Sequence, residues 1–355
     1  MMGLLQRYIA KTILASTLLV LLILLGLYTF MDFVAELEDL GKGEYHLTDA
    51  LSYILLSMPG RIYELLPIAA LLGSVLGLGN LASQSELVAI RAAGVSVQQI
   101  NKAVMIVAIC LMIVAVFVGE ILRPPLEQQA REIQSTAQTG TVGSRSEHGF
   151  WTRDGLHFNH IRSIQPDGRF ADISIYEFDQ QHRLRVVTKA QEAYYEGATW
   201  ALSDVVQSTI DEKGVEVRSI AHAVWRSQLN PGMVNIVLVP PEFLPIWSLL
   251  DYINYLKDNH QAAAQYEIAF WMKIMMPISS AVMVFLAVPF VFGSLRSAPI
   301  GGRILVGSLV GISFHLLNQS FQHLGIVFGI LPWLTAALPT LIFAVLGVFL
   351  MRRVH

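Results

Sequence analysis

The sequence is poor in charged residues, and the few that it has are unevenly distributed along the chain. Asp, Glu, Lys and Arg make up 14% of the 355 residues, whereas soluble domains carry about a quarter. None of these four types occurs between Ile304 and Met351, but they recur every few residues between Arg145 and Lys189. This shortage excludes a wholly soluble protein and indicates that one chain meets two solvents, a bilayer and water.

The sequence also has only one cysteine and lacks the common motifs of nucleotide binding and hydrolysis. Cys110 lies in an apolar run, cannot form an intramolecular disulfide, and is interpreted as a small packing residue. No G-x-x-x-x-G-K-[ST], H-E-x-x-H or G-x-S-x-G motif occurs. His157, His160 and His182 do not have the spacing of a zinc site. We therefore predict no enzyme, metal site or cofactor, and no basic run indicates nucleic acid.

Long apolar runs predict six membrane-spanning helices. A helix needs about 20 apolar residues to cross the hydrocarbon core. The uncharged runs are Ile13–Met31, Leu65–Ser85, Ala103–Gly119, Ile274–Leu295 and the stretch from Ile304 onward. The last run is too long for one helix, and Gly329-Ile330-Leu331-Pro332 divides it into two. No small-residue cleavage site follows the first run, so we predict a retained span rather than a signal peptide.

The distribution of Lys and Arg predicts the orientation of these spans. With the N-terminus inside, the cations on the inner side are Arg7, Lys11, Arg91, Lys102, Arg296, Arg303, Arg352 and Arg353. The first outer loop is acidic and has only Lys42 and Arg61 as cations. We therefore expect both termini in the cytoplasm and the large insertion between the third and fourth spans outside.

The insertion, residues 124–245, has the pattern of an all-β domain. Phe150–Phe158 is typical of two strands joined by an Asp-Gly turn. Further strand-like stretches are Ile173–Phe178, Leu184–Val187, Tyr194–Tyr195, Thr199–Val206, Val215–Ile220 and Val234–Val239. Many short strands separated by turns favour a sandwich or roll. The spacing of Leu249, Leu250, Ile253 and Leu256 then predicts an amphipathic helix over Leu244–Asn259 that leads into the fourth span.

A short segment after the second span predicts a separate helix at the membrane surface. Ser85 is a suitable N-cap, Glu86 lies where the helix dipole favours an anion, and Gly94 is a typical stop. The helix would have about two turns, which is too short to cross a bilayer.

The apolar residues of this short helix favour a role in docking. Leu87, Val88 and Ile90 are expected to be exposed on so short a loop. An apolar helix with a carboxylate at its tip suits a groove on another protein. A simple capped connector is the alternative.

The fifth span carries polar residues at helical spacing. They are His315, Asn318, Gln319, Gln322 and His323. Such residues hydrogen-bond between helices of a bundle. The alternative is a wall that faces a polar cavity or a substrate headgroup.

With these features in place, the chain resembles the lipopolysaccharide export permeases of the LptF/LptG family, and its G branch more than its F branch. The matching stretches, in order, are Arg7–Thr12, Pro67–Gly73, Ser85–Val88, Ala93–Gly94, Trp151–Gly155, Ile173–Tyr176 and Leu295–Pro299. The likeness covers essentially the whole chain, and the order and spacing of the stretches make it specific.

The resemblance implies a permease subunit of an ATP-binding cassette exporter. Such a subunit pairs with a second permease of the family as a heterodimer, and a separate cytoplasmic ATPase dimer hydrolyses ATP. The pair extracts lipopolysaccharide from the bacterial inner membrane and passes it to a periplasmic bridge protein. The implied fold is a membrane α-helical bundle with an inserted periplasmic β-jellyroll-like domain. The domains are then 1–123, 124–245 and 246–355.

The resemblance also implies which residues act. The segment 85–94 matches the helix that couples the permease to its ATPase, with Glu86 facing a basic residue of that partner. The coupling residues are Ser85, Glu86, Leu87, Val88, Ile90, Arg91 and Gly94. The first, second and fifth spans would line the lipid cavity. The implied substrate residues are Tyr28, Asp32, Lys42, Arg61, Phe314, Leu317, Asn318 and Phe321.

The chain departs from the family pattern at one place, and two other functions are alternative interpretations. Relatives often carry basic residues where this chain has Asp32, Glu38 and Asp39, so phosphate contact there is in question. An ion-coupled secondary transporter would need titratable groups near the midplane, and the sequence offers His315. A scaffold whose outer domain binds a partner, without transport, is the third interpretation.

Overall fold

Among the residues that it describes, the computed structural model of the protein contains six helices long and apolar enough to cross a membrane. The described residues are 3–139, 149–165, 168–197, 199–211, 214–227, 239–292 and 299–353. The candidate spans are Leu4–Leu37, Leu47–Ser83, Gln98–Gln138, Ala264–Phe292, Ile300–Phe328 and Pro332–Arg352. The predicted six spans are confirmed, and the chain is a multi-pass membrane protein. The predicted strand at 234–238 and residues 295–298 of the last matching stretch lie outside the described residues.

The helices are numbered in chain order. They are α1 (Leu4–Leu37), α2 (Leu47–Ser83), α3 (Glu86–Ala92), α4 (Val97–Phe117), α5 (Arg123–Thr139), α6 (Ile246–Asp258), α7 (Ala264–Phe292), α8 (Ile300–Phe328) and α9 (Pro332–Arg352). A π-helical turn, Val118–Leu122, joins α4 to α5, and a short 3₁₀ turn, Pro241–Phe243, precedes α6.

The third span continues well past its predicted end at Gly119, because α4 and α5 form one helix from Gln98 to Gln138. The prediction ends at Gly119 because the uncharged run stops before Glu120. Two prolines follow, and proline lacks an N–H and clashes with the carbonyl four residues before it. The π-helical turn Val118–Leu122 lies directly before Pro124 and Pro125. Its wider hydrogen-bond spacing lets the helix pass both prolines.

Contacts divide the chain into two compact units. The first unit is helical and comprises Met1–Ala35, Ile54–Glu127 and Ala264–His355. The second comprises Glu36–Tyr53 and Gln128–Ala263, and it therefore contains the α1–α2 loop, most of α5, the sheet and α6.

Glycine allows close helix packing around α2 in the first unit. A Cβ at Gly73 would overlap the Thr17 backbone of α1, and one at Gly77 would lie 3.1 Å from Ile13 Cα. Gly307 of α8 likewise packs against α2. Small residues spaced four apart let helix backbones approach in a membrane, where no hydrophobic effect drives helices together. In the most apolar stretch of 18 residues of each helix, 78% of the stretch is buried in α2 but only 17% in α1.

In the second unit, the α1–α2 loop is bound to α5 by hydrogen bonds. The buried Tyr45 donates its hydroxyl to Glu36 Oε2 at 2.8 Å. Gln134 Nε2 donates to the same carboxylate at 3.3 Å, and the Glu44 backbone N–H donates to Ala137 O at 2.7 Å. These bonds tie the residues that leave α1 to the helix that precedes the sheet.

The insertion forms one antiparallel sheet of six strands among the described residues, in the order of the sequence. The strands are β1 (Phe150–Asp154), β2 (His157–Ile164), β3 (Phe170–Phe178), β4 (Leu184–Glu196), β5 (Thr199–Asp211) and β6 (Gly214–Trp225). Phe170 and Trp200 are fully buried and stack with ring centroids 4.0 Å apart. The predicted β content is confirmed, and the two short stretches predicted at 184–187 and 194–195 form the single strand β4.

The amphipathic helix predicted before the fourth span is confirmed as α6, which packs against the β1–β2 turn. Tyr255 donates its hydroxyl to Arg153 O at 3.0 Å, and Asn259 Oδ1 accepts from the Gly155 N–H at 3.0 Å. Burial and then the Asp154 carboxylate raise the pKa of Tyr255 to about 12, so this hydroxyl stays protonated and continues to donate. The buried face uses Tyr255 and Tyr252 in place of Leu250, which is exposed.

Candidate functional site

The helix α3 ends as the sequence predicts. Gly94 has a positive φ of 87°, a backbone conformation that glycine adopts without steric cost. Its N–H donates to Arg91 O at 3.0 Å, and the Val95 N–H donates to Ile90 O at 3.3 Å. This pair of bonds is a Schellman motif, which satisfies the last carbonyls of a helix. Gly94 is therefore confirmed as the stop.

The predicted N-cap of α3 is wrong. Ser85 has a left-handed backbone with a φ of 60°, and its side chain makes no capping hydrogen bond. The reason is tertiary, because α2 ends at Ser83 and the chain must turn sharply within two residues. The capping box lies instead at Ser96, which exchanges hydrogen bonds with Gln99 at the start of α4. The pattern Ser-x-x-Gln at 96–99 could have revealed it.

The prediction that Leu87 and Ile90 are exposed is also wrong. Leu87 is buried in the hydrophobic core of the helical unit, and Ile90 packs against that core half-buried. Residues three apart share one side of a helix, and here that side faces the bundle. Val88 is exposed, as predicted, and Arg91 is exposed beside it. One side of α3 therefore packs against the bundle, and the opposite side is exposed.

Glu86 lies in the first turn of α3 and is held by a residue of α1. Tyr8 donates its hydroxyl to Glu86 Oε2 at 2.9 Å. Tyr8 is 48% exposed, and Glu86 is half-buried. The carboxylate is thus oriented by a hydrogen bond while it remains accessible from outside.

A small cavity adjoins α3. Its lining residues are Ala82, Leu87, Val88, Arg91, Val291 and Phe292. The cavity is therefore formed by α3 together with the ends of α2 and α7, and it combines apolar walls with one cation.

Two of the predicted substrate residues contact each other. Arg61 binds Asp32 with two hydrogen bonds, at 2.8 and 2.9 Å, and lies 3.4 Å from Glu64. Such paired bonds are the geometry by which arginine also binds phosphate. Glu64 in turn accepts from the buried Arg123 at 2.7 Å, so a row of alternating charges connects α1, α2 and α5.

Lys42 lies in the other compact unit and binds Asp39. The hydrogen bond from Lys42 holds the pKa of the Asp39 carboxyl below its usual range. Lys42 is largely exposed, so its ammonium group remains accessible from the solvent.

The remaining predicted substrate residues differ in their surroundings. Phe314 is buried and packs edge-to-face against Phe343 of α9, with ring centroids 5.4 Å apart. Leu317 packs half-buried against the same core. Tyr28, Asn318 and Phe321 are half-buried. The structure therefore places Phe314 inside the bundle rather than on an open wall.

The polar series of α8 is split between surface and interior. His315, Asn318 and Gln322 are half-buried, while Gln319 and His323 are exposed. His323 Nδ1 lies 2.9 Å from Gln319 O of its own helix, so this contact does not join two helices.

The contacts of two buried cations were missed by sequence reasoning. Lys273 Nζ lies 2.9 Å from Glu120 Oε1, with the side chains 4% and 15% exposed. Arg303, expected only as a cation near a span end, is buried and donates to Gly79 O of α2. Opposite charges at the ends of two apolar runs were the available signal for the first pair.

No group of three or more His, Cys, Asp or Glu among the described residues could hold a metal ion.

Comparison with known proteins identifies the family. The family model "Lipopolysaccharide export system permease LptF/LptG" matches residues 7–353. The permease protein LptG of Haemophilus influenzae is 37% identical over 355 residues, which cover 99% of each chain. LptG of Escherichia coli K12 is 37% identical over 354 residues, 99% of this chain and 98% of its own.

A second branch of the family matches a smaller part. LptF of Escherichia coli K12 is 33% identical over 109 residues, which cover 31% of this chain and 30% of its own. Six apolar spans, an inserted antiparallel sheet and a match over nearly the whole length agree with one another. The chain belongs to the LptF/LptG family of lipopolysaccharide export system permeases.

Proposed function

We propose that the chain is the permease subunit of an ATP-binding cassette exporter that extracts lipopolysaccharide from the inner membrane and passes it to a periplasmic bridge protein. The observation that carries this proposal is α3, a short helix anchored between two spans that presents Glu86 to its surroundings. Family membership supplies the substrate, since the relatives that match over nearly their whole length are named for lipopolysaccharide export.

The proposal assigns ATP hydrolysis to a separate cytoplasmic ATPase dimer. The sequence has no P-loop, so the energy of ATP must reach the spans through a protein contact. The second permease is a chain of the same family, which agrees with the likeness to both LptG and LptF proteins. Both termini and α3 are then cytoplasmic, and the sheet is periplasmic.

The two sides of α3 support a coupling role. The buried Leu87 and the half-buried Ile90 join α3 to the bundle core, so a force applied to α3 is transmitted to the spans. Val88 and Arg91 face outward and offer an apolar contact and a cation to the ATPase. Ser85 and Gly94 define the two turns that set the length of this helix.

The substrate surface is proposed on α1 and α8. Only 17% of the most apolar window of α1 and 22% of that of α8 is buried. Large exposed apolar residues on these helices, such as Leu22, Phe30 and Leu309, can contact lipid acyl chains or the second permease. Tyr28, Phe321 and Asn318 lie half-buried beside them.

The polar end of the lipid is assigned to cations at the outer end of the spans. Arg61 has the fork geometry that suits a phosphate, and Asp32 accepts from both arms of that fork. Lys42 is the second cation proposed here. Divalent cations or the second permease would offset the negative charge of the nearby carboxylates.

The periplasmic sheet is proposed to be a β-jellyroll-like module that receives the lipid. Its described strands form an open antiparallel array with β1 and β6 at the two edges. An open edge can accept a strand from a bridge protein of similar fold.

The test of this function is Glu86→Ala. Loss of the carboxylate removes the partner of a cation on the ATPase, so recovery of the ATPase with the affinity-purified permease pair should fall at least about tenfold. The matched control is Asp251→Ala, which removes an exposed carboxylate from α6, a helix that the proposal assigns to the periplasm together with the sheet. Full recovery of ATPase by a variant in which residues 85–94 are replaced by a Gly/Ser linker would contradict the proposal.

A second candidate function, an ion-coupled secondary transporter, rests on the buried ion pair Lys273–Glu120, whose members lie at the ends of two apolar runs rather than near the middle of a span. Buried ionisable groups in spans are typical of ion pathways. Lipopolysaccharide release from vesicles driven by a proton gradient without ATP would support this candidate, and strict ATP dependence would exclude it.

A further inference from the structure

One hydrogen bond of the helical unit joins the beginning of α1 to α3. Tyr8 lies near the N-terminus of α1, and Glu86 lies 78 residues later at the start of α3. Their hydrogen bond of 2.9 Å is the contact by which α1 reaches the carboxylate assigned above to ATPase coupling. The inference that follows therefore rests on the proposed function.

The backbone of α1 meets α2 closely at one crossing. Gly73 and Gly77 of α2 leave room for the backbone of α1 at Thr17 and Ile13. Ile13 and Thr17 are both buried there. Because the two backbones are in contact at this crossing, it is the point about which α1 can tilt with the least change in packing.

Beyond the crossing, Val20, Leu21 and Leu24 of α1 still pack against α2, but many of the other side chains of α1 are exposed. Leu22, Ile23, Leu27 and Phe30 are all more than half exposed. The next polar tie to α2 is the ion pair of Asp32 with Arg61. At about 1.5 Å per residue, Tyr8 lies about 14 Å to one side of Thr17 and Asp32 about 22 Å to the other. About the crossing, α1 therefore has a short arm that ends at Tyr8 and a long arm that ends at Asp32.

We propose that Tyr8 is a positioning residue that holds the Glu86 carboxylate and connects α3 to the short arm of α1. A carboxylate accepts several hydrogen bonds at once, so Tyr8 and a cation of the ATPase share Glu86. A displacement of α3 by the ATPase then tilts α1 about the Gly73–Gly77 crossing. The long arm moves by a larger distance in the opposite direction and strains the Asp32–Arg61 pair.

The first experiment is Tyr8→Phe in the complete complex of both permeases and the ATPase, reconstituted in vesicles that contain lipopolysaccharide. The substitution removes one hydroxyl and keeps the ring. Recovery of the ATPase and basal ATP hydrolysis should remain unchanged. The amount of lipopolysaccharide released per ATP hydrolysed should fall at least about fivefold, the lower range of coupling between two sites.

The matched control is Thr12→Val, which removes a hydroxyl one turn further along α1. The Thr12 hydroxyl donates to the Tyr8 carbonyl of the same helix, so this hydrogen bond does not involve Glu86. Thr12→Val should keep the wild-type ratio of lipopolysaccharide to ATP. A fall in the ratio for both variants would mean that α1 is merely perturbed, and it would overturn the proposal.

The second experiment separates the hydrogen bond from the charge. Glu86→Gln keeps an oxygen that accepts from Tyr8 but removes the charge, so it should weaken ATPase recovery. Tyr8→Phe keeps the charge and should lower only the coupling ratio. In the Glu86→Ala background, Tyr8→Phe should cause no further loss, because its acceptor is already absent.

The outcomes distinguish this inference from the proposed function. If the wild-type complex releases no lipopolysaccharide with ATP, the proposed function itself is wrong. If the wild-type complex is active and Tyr8→Phe has the same coupling ratio, only the role of Tyr8 is wrong. Failure of the Tyr8→Phe complex to assemble would assign the hydroxyl to assembly and would also overturn the proposal.

Discussion

Helices α1 and α2 are neighbours of similar length, yet they have opposite environments. The most apolar window of α1 is more hydrophobic than that of α2, but 17% of the former and 78% of the latter is buried. In water, the more hydrophobic segment would be the more buried one. In a bilayer, lipid tails solvate apolar side chains as well as a protein core does, so hydropathy predicts insertion but not burial.

Glycine position accounts for the difference between the two helices. Gly73 and Gly77 of α2 lie against the backbone of α1, and Gly79 lies against the buried Arg303 of α8. Gly26 of α1 has no atom within 4 Å of its Cβ position. Small residues therefore mark the centre of this bundle, but only where a neighbour uses the space that they leave.

The largest expected effect comes from breaking the buried ion pair among the central helices. Lys273→Met should lower the free energy of unfolding by about 3–5 kcal/mol, because it leaves Glu120 charged and buried without this partner. Equilibrium unfolding in detergent micelles would measure it. The double variant Lys273→Met/Glu120→Met should recover much of the loss, and a double variant as unstable as the single one would contradict this account.

A smaller effect is expected at the helix crossing. Gly73→Ala adds a Cβ that overlaps the Thr17 backbone, and overpacking of this kind costs about 1–3 kcal/mol. Gly26→Ala is the control, because open space surrounds that Cβ position. Unfolding of both variants in the same detergent would measure the difference. An equal loss of unfolding free energy in the two variants would refute the view that packing, and not helix propensity, determines where glycine is needed.

The smallest effect is expected where the C-terminal part of α1 is tied to α2. Asp32→Asn weakens an ion pair whose side chains are 24% and 36% exposed, and such pairs contribute up to about 1 kcal/mol. Arg61 also keeps its contact with Glu64. The same unfolding experiment should therefore show a much smaller loss than Lys273→Met. A comparable loss would mean that α1 is held as firmly as the central helices.

Much of the architecture could be predicted from the sequence. The six spans, the β insertion, the helix α6 and the stop at Gly94 all follow from patterns within about 20 residues of chain. The extension of the third span through Pro124 was missed, because the uncharged run ends before Glu120 and proline normally ends a helix. The division into 1–123, 124–245 and 246–355 stays a prediction.

The candidate site was predicted in part. The position of α3 and the exposure of Val88 are as expected, whereas Ser85 does not cap and Leu87 is buried. The pairing of Tyr8 with Glu86 joins residues 78 apart in the sequence, and no local pattern contains it. The coupling and substrate roles of these residues stay predictions until the variants are measured.

The sequence by itself determined which segments enter the bilayer and which form strands, because transfer from water and local hydrogen bonding depend on neighbouring residues. Only the tertiary structure decided that α2 is central and α1 peripheral, which side of α3 faces outward, and which charge pairs with which. Those choices depend on how closely backbones approach, and that distance is set by residues on different helices.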